Sequence, residues 1–187
     1  MDACDELGLL VLDENRRFES CDDSLQQMEM LVRRDRNRPS VFLWSTGNEE
    51  MVYHCIPQGH RIQKALDHVI RKWDPTRPVT TAITNLNEAS VYKICDVIGA
   101  NYSLPYLDEI HAEFPEKPFL STENCAVPST RGWYFGNDPA QGLFDARDCD
   151  PGPGTFQVFG RENTWKFIME RPWLAGGFQW DAFEHRG

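Results

Sequence analysis

Two short stretches of this sequence carry side chains able to move protons and attack carbon. In the first, a basic run from Arg33 leads into Val41-Phe-Leu-Trp44, an apolar segment with the length and composition of a strand buried on both faces. The strand is expected to break at Gly47, leaving Asn48 and Glu49 just past its C-terminal end. In the second, Lys117-Pro-Phe-Leu-Ser-Thr-Glu-Asn124 repeats the plan, with a proline at the start, a short apolar run and Glu123 at the strand's end. A carboxyl beside an amide suits a general acid/base with a substrate-orienting neighbour; the same spacing suits a glutamate that caps the following helix. Two such carboxyls facing one another would match the pair used in glycoside hydrolysis. One protonates the departing oxygen, and the other attacks the anomeric carbon or activates water.

Strand ends meet in this way when parallel strands alternate with helices and close into a barrel, because the loops at the C-terminal ends then share one mouth. The pattern along the chain has that form. Asp2 to Leu7 reads as the tail of a helix stopped by Gly8, and Leu9-Leu-Val-Leu12 as a buried strand running out into Asp13-Glu14-Asn15. Leu25, Met28, Leu31 and Val32 mark a helix over Asp23–Arg34. Met51 to Gly59, with Tyr53, His54 and Cys55, reads as a loop. A helix from about Gln58 to Trp73 follows and ends at Asp74-Pro75. Strands are expected at Pro78–Ile83 and Asp96–Tyr102, a short helix at Leu107–Phe114, a helix at Arg161–Arg171 and a last strand at Leu174–Phe183. The stretch Val127–Gly160 is rich in proline, glycine and aromatics. It reads as a long functional loop forming a wall of the cleft, where Trp133, Tyr134, Phe135, Phe144 and Phe156 would stack on sugar rings.

The run Arg-Asp-Arg-Asn-Arg-Pro-Ser-Val-Phe-Leu-Trp-Ser-Thr-Gly-Asn-Glu, ending at Glu49, resembles the acid/base signature of glycoside hydrolase family 2, which includes β-galactosidases, β-glucuronidases and β-mannosidases. The resemblance implies an α/β fold, a (β/α)8 TIM barrel that is incomplete in this chain and runs from roughly strand 3 to strand 8. On it, residues 1–187 are the C-terminal three quarters of a catalytic domain whose first two strands, with the preceding sugar-binding and immunoglobulin-like domains, lie outside the sequence. It further implies a retaining, exo-acting hydrolase with Glu49 as acid/base and Glu123 as nucleophile. Asn48 would bind the sugar 2-hydroxyl. Tyr102, in an Asn-Tyr pair at a strand end, would donate a hydrogen bond to Glu123, although a tyrosine there also fits a bond to backbone or water. Trp180, in Gly-Gly-Phe-x-Trp followed by Arg186-Gly187, would lie on the pocket floor. Asp13 and Glu14 either shape the mouth or pair with arginines such as Arg16 and Arg17. The Arg-Gly-Trp-Tyr-Phe and Gly-Gly-Phe-x-Trp contexts look most like β-galactosidases, with glucuronides and mannosides as alternatives. No cofactor is expected. Some members bind a divalent ion, but Glu19-Ser20-Cys21 lacks the histidine they use, so no metal is expected either.

The totals fit this reading. A closed barrel typically needs about 250 residues, and this chain has 187. A net charge of −10 argues against nucleic acid or an anionic membrane as partner. The cluster Arg33–Arg38 is broken by Asp35 and fits a helix C-terminus complementing its dipole. No apolar run reaches the roughly 20 residues of a membrane span, and the N-terminus is not a signal peptide. On the reading that the chain starts mid-fold, a cytoplasmic or a periplasmic or secreted destination is set by the N-terminal part expected to precede it. The six cysteines show no Cys-x-x-Cys pair and read as reduced thiols in or near the core. A carbohydrate is the expected partner, together with a homo-oligomer or the remainder of the barrel. The reading from another class is a catalytically incompetent barrel fragment that only binds sugar.

Overall fold

In the computed structural model, which describes residues 1–125, 132–136, 138, 140, 141, 143, 145 and 161–180, the apolar and β-branched runs form six strands. These are β1 (Val11–Glu14), β2 (Val41–Asn48), β3 (Val79–Ile83), β4 (Ile98–Asn101), β5 (Phe119–Asn124) and β6 (Leu174–Gln179). Six helices accompany them: α1 (Asp2–Leu7), α2 (Asp22–Asp35), α3 (Met51–Cys55), α4 (Pro57–Trp73), α5 (Leu107–Glu113) and α6 (Arg161–Met169). All neighbouring strands pair in parallel, and their spatial order is their chain order. A doubly wound sheet would reverse direction at a switch point; an unbroken sequential order is the arc of a barrel.

The arc is curled. Phe42 on β2 and Phe178 on β6 stack with ring centroids 6.5 Å apart, yet four strand spacings in a flat sheet would separate those strands by roughly 19 Å. Their contact, with Leu12, Leu43, Val97 and Leu120, makes a small interior core. Two larger clusters fill the layer between sheet and helices. One is built on Phe18, Met28, Trp44, Leu66 and Ile70, the other on Ile83, Leu107, Phe119, Ile168 and Leu174. The fold is therefore an incomplete (β/α)8 barrel. Among the described residues, no helix is long and apolar enough to cross a membrane.

Several expectations are corrected. The strand containing Trp44 does not break at Gly47 but continues through it to Asn48. The glycine is required for packing, since a Cβ there would lie 2.7 Å from the Phe18 Cβ. β1 begins two residues later than expected and is only half-buried, with Leu9 and Leu10 exposed. The loop expected after Glu49 holds the five-residue helix α3, too short for any apolar period to reveal. Its His54 is fully buried edge-on to Phe18. Gly8 ends α1 in the left-handed conformation (φ 70°), as a helix stop does. Cys95 and Cys125 are buried, whereas Cys21 is exposed rather than near the core. Residues 181–183 of the expected last strand lie outside the described residues.

Candidate active site

Three strands end on asparagine, and each asparagine is followed by a residue in the left-handed region: Glu49 (φ 55°), Tyr102 (φ 54°) and Cys125 (φ 61°). Each such conformation costs a non-glycine residue roughly 1–2 kcal/mol and persists only where its surroundings impose it. At Glu49 and Tyr102 the sheet ladder holds it by continuing past the strand ends. Glu49 N–H donates to the Ala82 carbonyl at 3.0 Å, and Tyr102 N–H to the Glu123 carbonyl at 2.9 Å. Trp180 N–H donates to the Asn124 carbonyl at 2.7 Å.

Asn101, the fully buried last residue of β4, joins these ends. Its Nδ2 donates to Asn48 Oδ1 at 2.9 Å, Glu49 Oε1 at 3.1 Å and Glu123 Oε2 at 3.3 Å. Its Oδ1 accepts from the Thr122 hydroxyl at 2.7 Å, which leaves the N–H groups to the carboxylates, and an ionised carboxylate can only accept. The Thr84 hydroxyl donates to Glu49 Oε1, and the Tyr102 hydroxyl donates to Glu123 Oε1. Burial, reinforced by the bond to Glu123, pushes the Tyr102 phenol well above its ordinary pKa, so it stays protonated and remains a donor.

Beside this network lies a cleft of about 190 Å³, lined by Glu14, Asn48, Thr122, Glu123, Phe178 and Trp180 among others. Glu14 accepts from the Ser45 hydroxyl at 2.7 Å, and burial raises its pKa despite that bond. Asp13 goes elsewhere. Its carboxyl faces the acidic Asp35 on α2, and burial followed by that neighbour raises its pKa to about 6.

The five residues singled out from sequence thus fall in one place. Asn48, Glu123 and Trp180 line the cleft, Tyr102 bonds Glu123, and Glu49 is tied to Glu123 through Asn101. Sequence reasoning missed Asn101, Thr84 and Thr122. Asn101 stands directly before Tyr102 in the pair already noted, and Thr84 directly follows an expected strand, so the strand-end rule applied to every strand would have flagged both. Of the long stretch 127–160, the described residues include Trp133, packed edge-to-face on Phe135 at 5.1 Å. Phe144 and Phe156 lie outside the described residues, as does Arg186-Gly187. Among the described residues, no group of three or more His, Cys, Asp or Glu side chains is placed to hold a metal ion.

Comparison with known proteins places this arrangement. A family profile described as glycosyl hydrolases family 2, TIM barrel domain, matches residues 16–132. A β-galactosidase of Bacteroides ovatus is 27% identical, aligned to 100% of this chain and 29% of its own. A putative β-glucuronidase of Formosa agariphila is also 27% identical, covering 100% of this chain and 21% of its own. The crystal structure of Ruminococcus gnavus β-glucuronidase superposes with a TM-score of 0.71 at 19% identity, over 96% of this chain and 34% of that one. The chain spans less than a third of the length of the two curated relatives.

Proposed function

The chain belongs to glycosyl hydrolase family 2, and on that footing we propose that it carries the catalytic pair of a retaining, exo-acting β-galactosidase, with Glu123 as nucleophile and Glu49 as acid/base. One observation carries the reading. Asn101 Nδ2 lies 3.1 Å from Glu49 Oε1 and 3.3 Å from Glu123 Oε2, so the two oxygens can be no farther apart than those two bonds laid end to end. That ceiling brings the two carboxyl groups together over a single sugar ring and admits the about 5 to 5.5 Å of retaining pairs.

The hydrogen bonds support a division of labour. Glu49 Oε1 accepts from both Thr84 and Asn101, which leaves Oε2 to carry the acidic proton. In the first step Glu123 attacks the anomeric carbon while that proton passes to the departing oxygen. In the second, Glu49 takes a proton from water as the water displaces Glu123. The Tyr102 hydroxyl orients Glu123 and disperses its charge. Asn48 binds the sugar 2-hydroxyl, and Trp180 packs against the glycone. The cleft falls under the roughly 300 Å³ of pockets that enclose drug-sized ligands, which suits a single terminal ring.

The β-galactosidase of Bacteroides ovatus, aligned over this whole chain, supports galactose, as do the Arg-Gly-Trp-Tyr-Phe and Gly-Gly-Phe-x-Trp contexts. A second reading, a β-glucuronidase, is favoured by the name of the Formosa agariphila relative. Both are tested by a panel of nitrophenyl β-glycosides offered to the longest natural polypeptide that carries this chain, with the first-formed anomer followed by NMR. The galactoside is expected to turn over fastest and to release the β-anomer first. Release of the α-anomer first overturns retention, and a faster glucuronide overturns the glycone.

A further inference from the structure

A cycle of this kind moves negative charge between two groups. At the outset Glu123 is ionised and Glu49 is protonated. Once the glycosyl–Glu123 bond has formed and the Glu49 proton has left with the aglycone, Glu123 is an ester and Glu49 is the carboxylate. Water reverses both changes, giving its proton to Glu49 and its oxygen to the sugar as the ester bond breaks. A donor fixed on either carboxylate alone would be well placed in only one of the two states.

Asn101 is placed to serve both. Its Nδ2 carries two hydrogens and has three acceptors within reach, Asn48 Oδ1, Glu49 Oε1 and Glu123 Oε2, at 2.9, 3.1 and 3.3 Å. The nearest acceptor holds one hydrogen, and the two glutamates compete for the other. The amide is anchored on its other side, where Oδ1 accepts from the Thr122 hydroxyl at 2.7 Å, and Asn101 is fully buried at the end of β4. In the β4–β5 register Asn101 lies opposite Glu123, so the sheet itself sets the reach. We propose that Asn101 is a positioning residue whose second N–H follows the negative charge, donating to Glu123 in the free enzyme and to Glu49 in the glycosyl-enzyme. The inference rests on the Glu49/Glu123 assignment made above. It adds to Tyr102, which bonds Glu123, and Thr84, which bonds Glu49, a group that couples the two.

The test is Asn101→Ala in the longest natural polypeptide carrying this chain, with Glu123→Gln beside it and rates referred to folded protein. Loss of the shared donor is expected to lower both kcat/KM and kcat, each by about 100-fold, because both steps lose it. The acidic limb of the kcat/KM profile is expected to move up by about one pH unit, since ionised Glu123 loses a charge-assisted bond. A slower variant with an unmoved acidic limb reduces Asn101 to a packing role and overturns the inference, as does a variant with unchanged rates. Thr122→Val keeps the question open to measurement if Asn101→Ala fails to fold. It removes the bond that anchors the amide, so a roughly tenfold loss with the same direction of limb movement is expected, and an unmoved limb again overturns the proposal. If Glu123→Gln keeps its turnover, the assignment of the pair falls; if it is inactive while the other variants behave as wild type, only the role of Asn101 falls.

Discussion

The two rims of this sheet hold their carboxylates by different means. At the N-terminal ends of the strands, Asp74 accepts from Trp44 Nε1 at 2.9 Å, from Thr76 and from the Arg77 guanidinium at 2.6 Å. Arg77 also donates to the carbonyls of Val41, Arg36 and Arg38, and Lys117 to those of Cys95 and Lys93. Burial opposes ionisation of Asp74, but the bonds from Thr76, Arg77 and Trp44 outweigh it and hold its pKa well below the usual carboxylate range. At the C-terminal ends, the donors described on Glu14, Glu49 and Glu123 are neutral: Ser45, Thr84, Asn101 and Tyr102. A guanidinium locks a carboxylate in its charged form. An amide or hydroxyl orients it while letting a proton come and go. The lower rim is built to persist and the upper to react, the division expected of a β/α barrel.

The sharpest way to break this contrast is one variant on each rim. Glu49→Ala is expected to lower kcat by on the order of a thousandfold, the contribution of a positioned general acid/base, with an unfolding midpoint close to wild type. Loss of stability in step with activity would mean that the upper rim is structural too. Asp74→Ala should do the reverse. Removing one partner of a buried charged network costs about 3 kcal/mol, read as a lowered midpoint in urea, while activity per folded molecule is retained. An unshifted midpoint would deny the lower rim its role.

A smaller effect sharpens the picture near the upper rim. Burial holds the His54 imidazole at about 4, below its ordinary 6.5, and among the described residues neither ring nitrogen has a hydrogen-bond partner. Because the folded value is the lower one, the unfolded chain takes up the proton first as pH falls. Stability is therefore lost between about pH 6.5 and 4, by up to about 3 kcal/mol. Asp13, raised to about 6, slopes the opposite way over part of that window, so the wild-type curve alone does not isolate His54. His54→Phe does: over that window its stability should fall with acid less steeply than that of the wild type, and an equal slope would contradict the assignment.

What could be read from the sequence was local. An apolar run ending in a polar pair placed Glu49 and Glu123 at strand ends, and the helical period placed α2 and α4, because both signals live within a dozen residues. What could not be read was set by distant neighbours. Whether Gly47 ends a strand or lets Phe18 pack against it depends on a residue far from it in the chain. The place of Asn101 depends on the registers of β2, β4 and β5 together, and the turned backbones of Glu49 and Tyr102 depend on ladder bonds to adjacent strands. α3 escaped for the opposite reason: five residues are too few to show a period.

The central claim is that Glu123 bonds to the sugar. Incubating the longest natural polypeptide that carries this chain with an activated 2-deoxy-2-fluoro β-galactoside, followed by digestion and mass spectrometry, tests it directly. The account predicts one fluorosugar per active site, on the peptide containing Glu123 and localised to that residue. A label on another side chain, or no label from an enzyme that still turns over aryl galactosides, would contradict it.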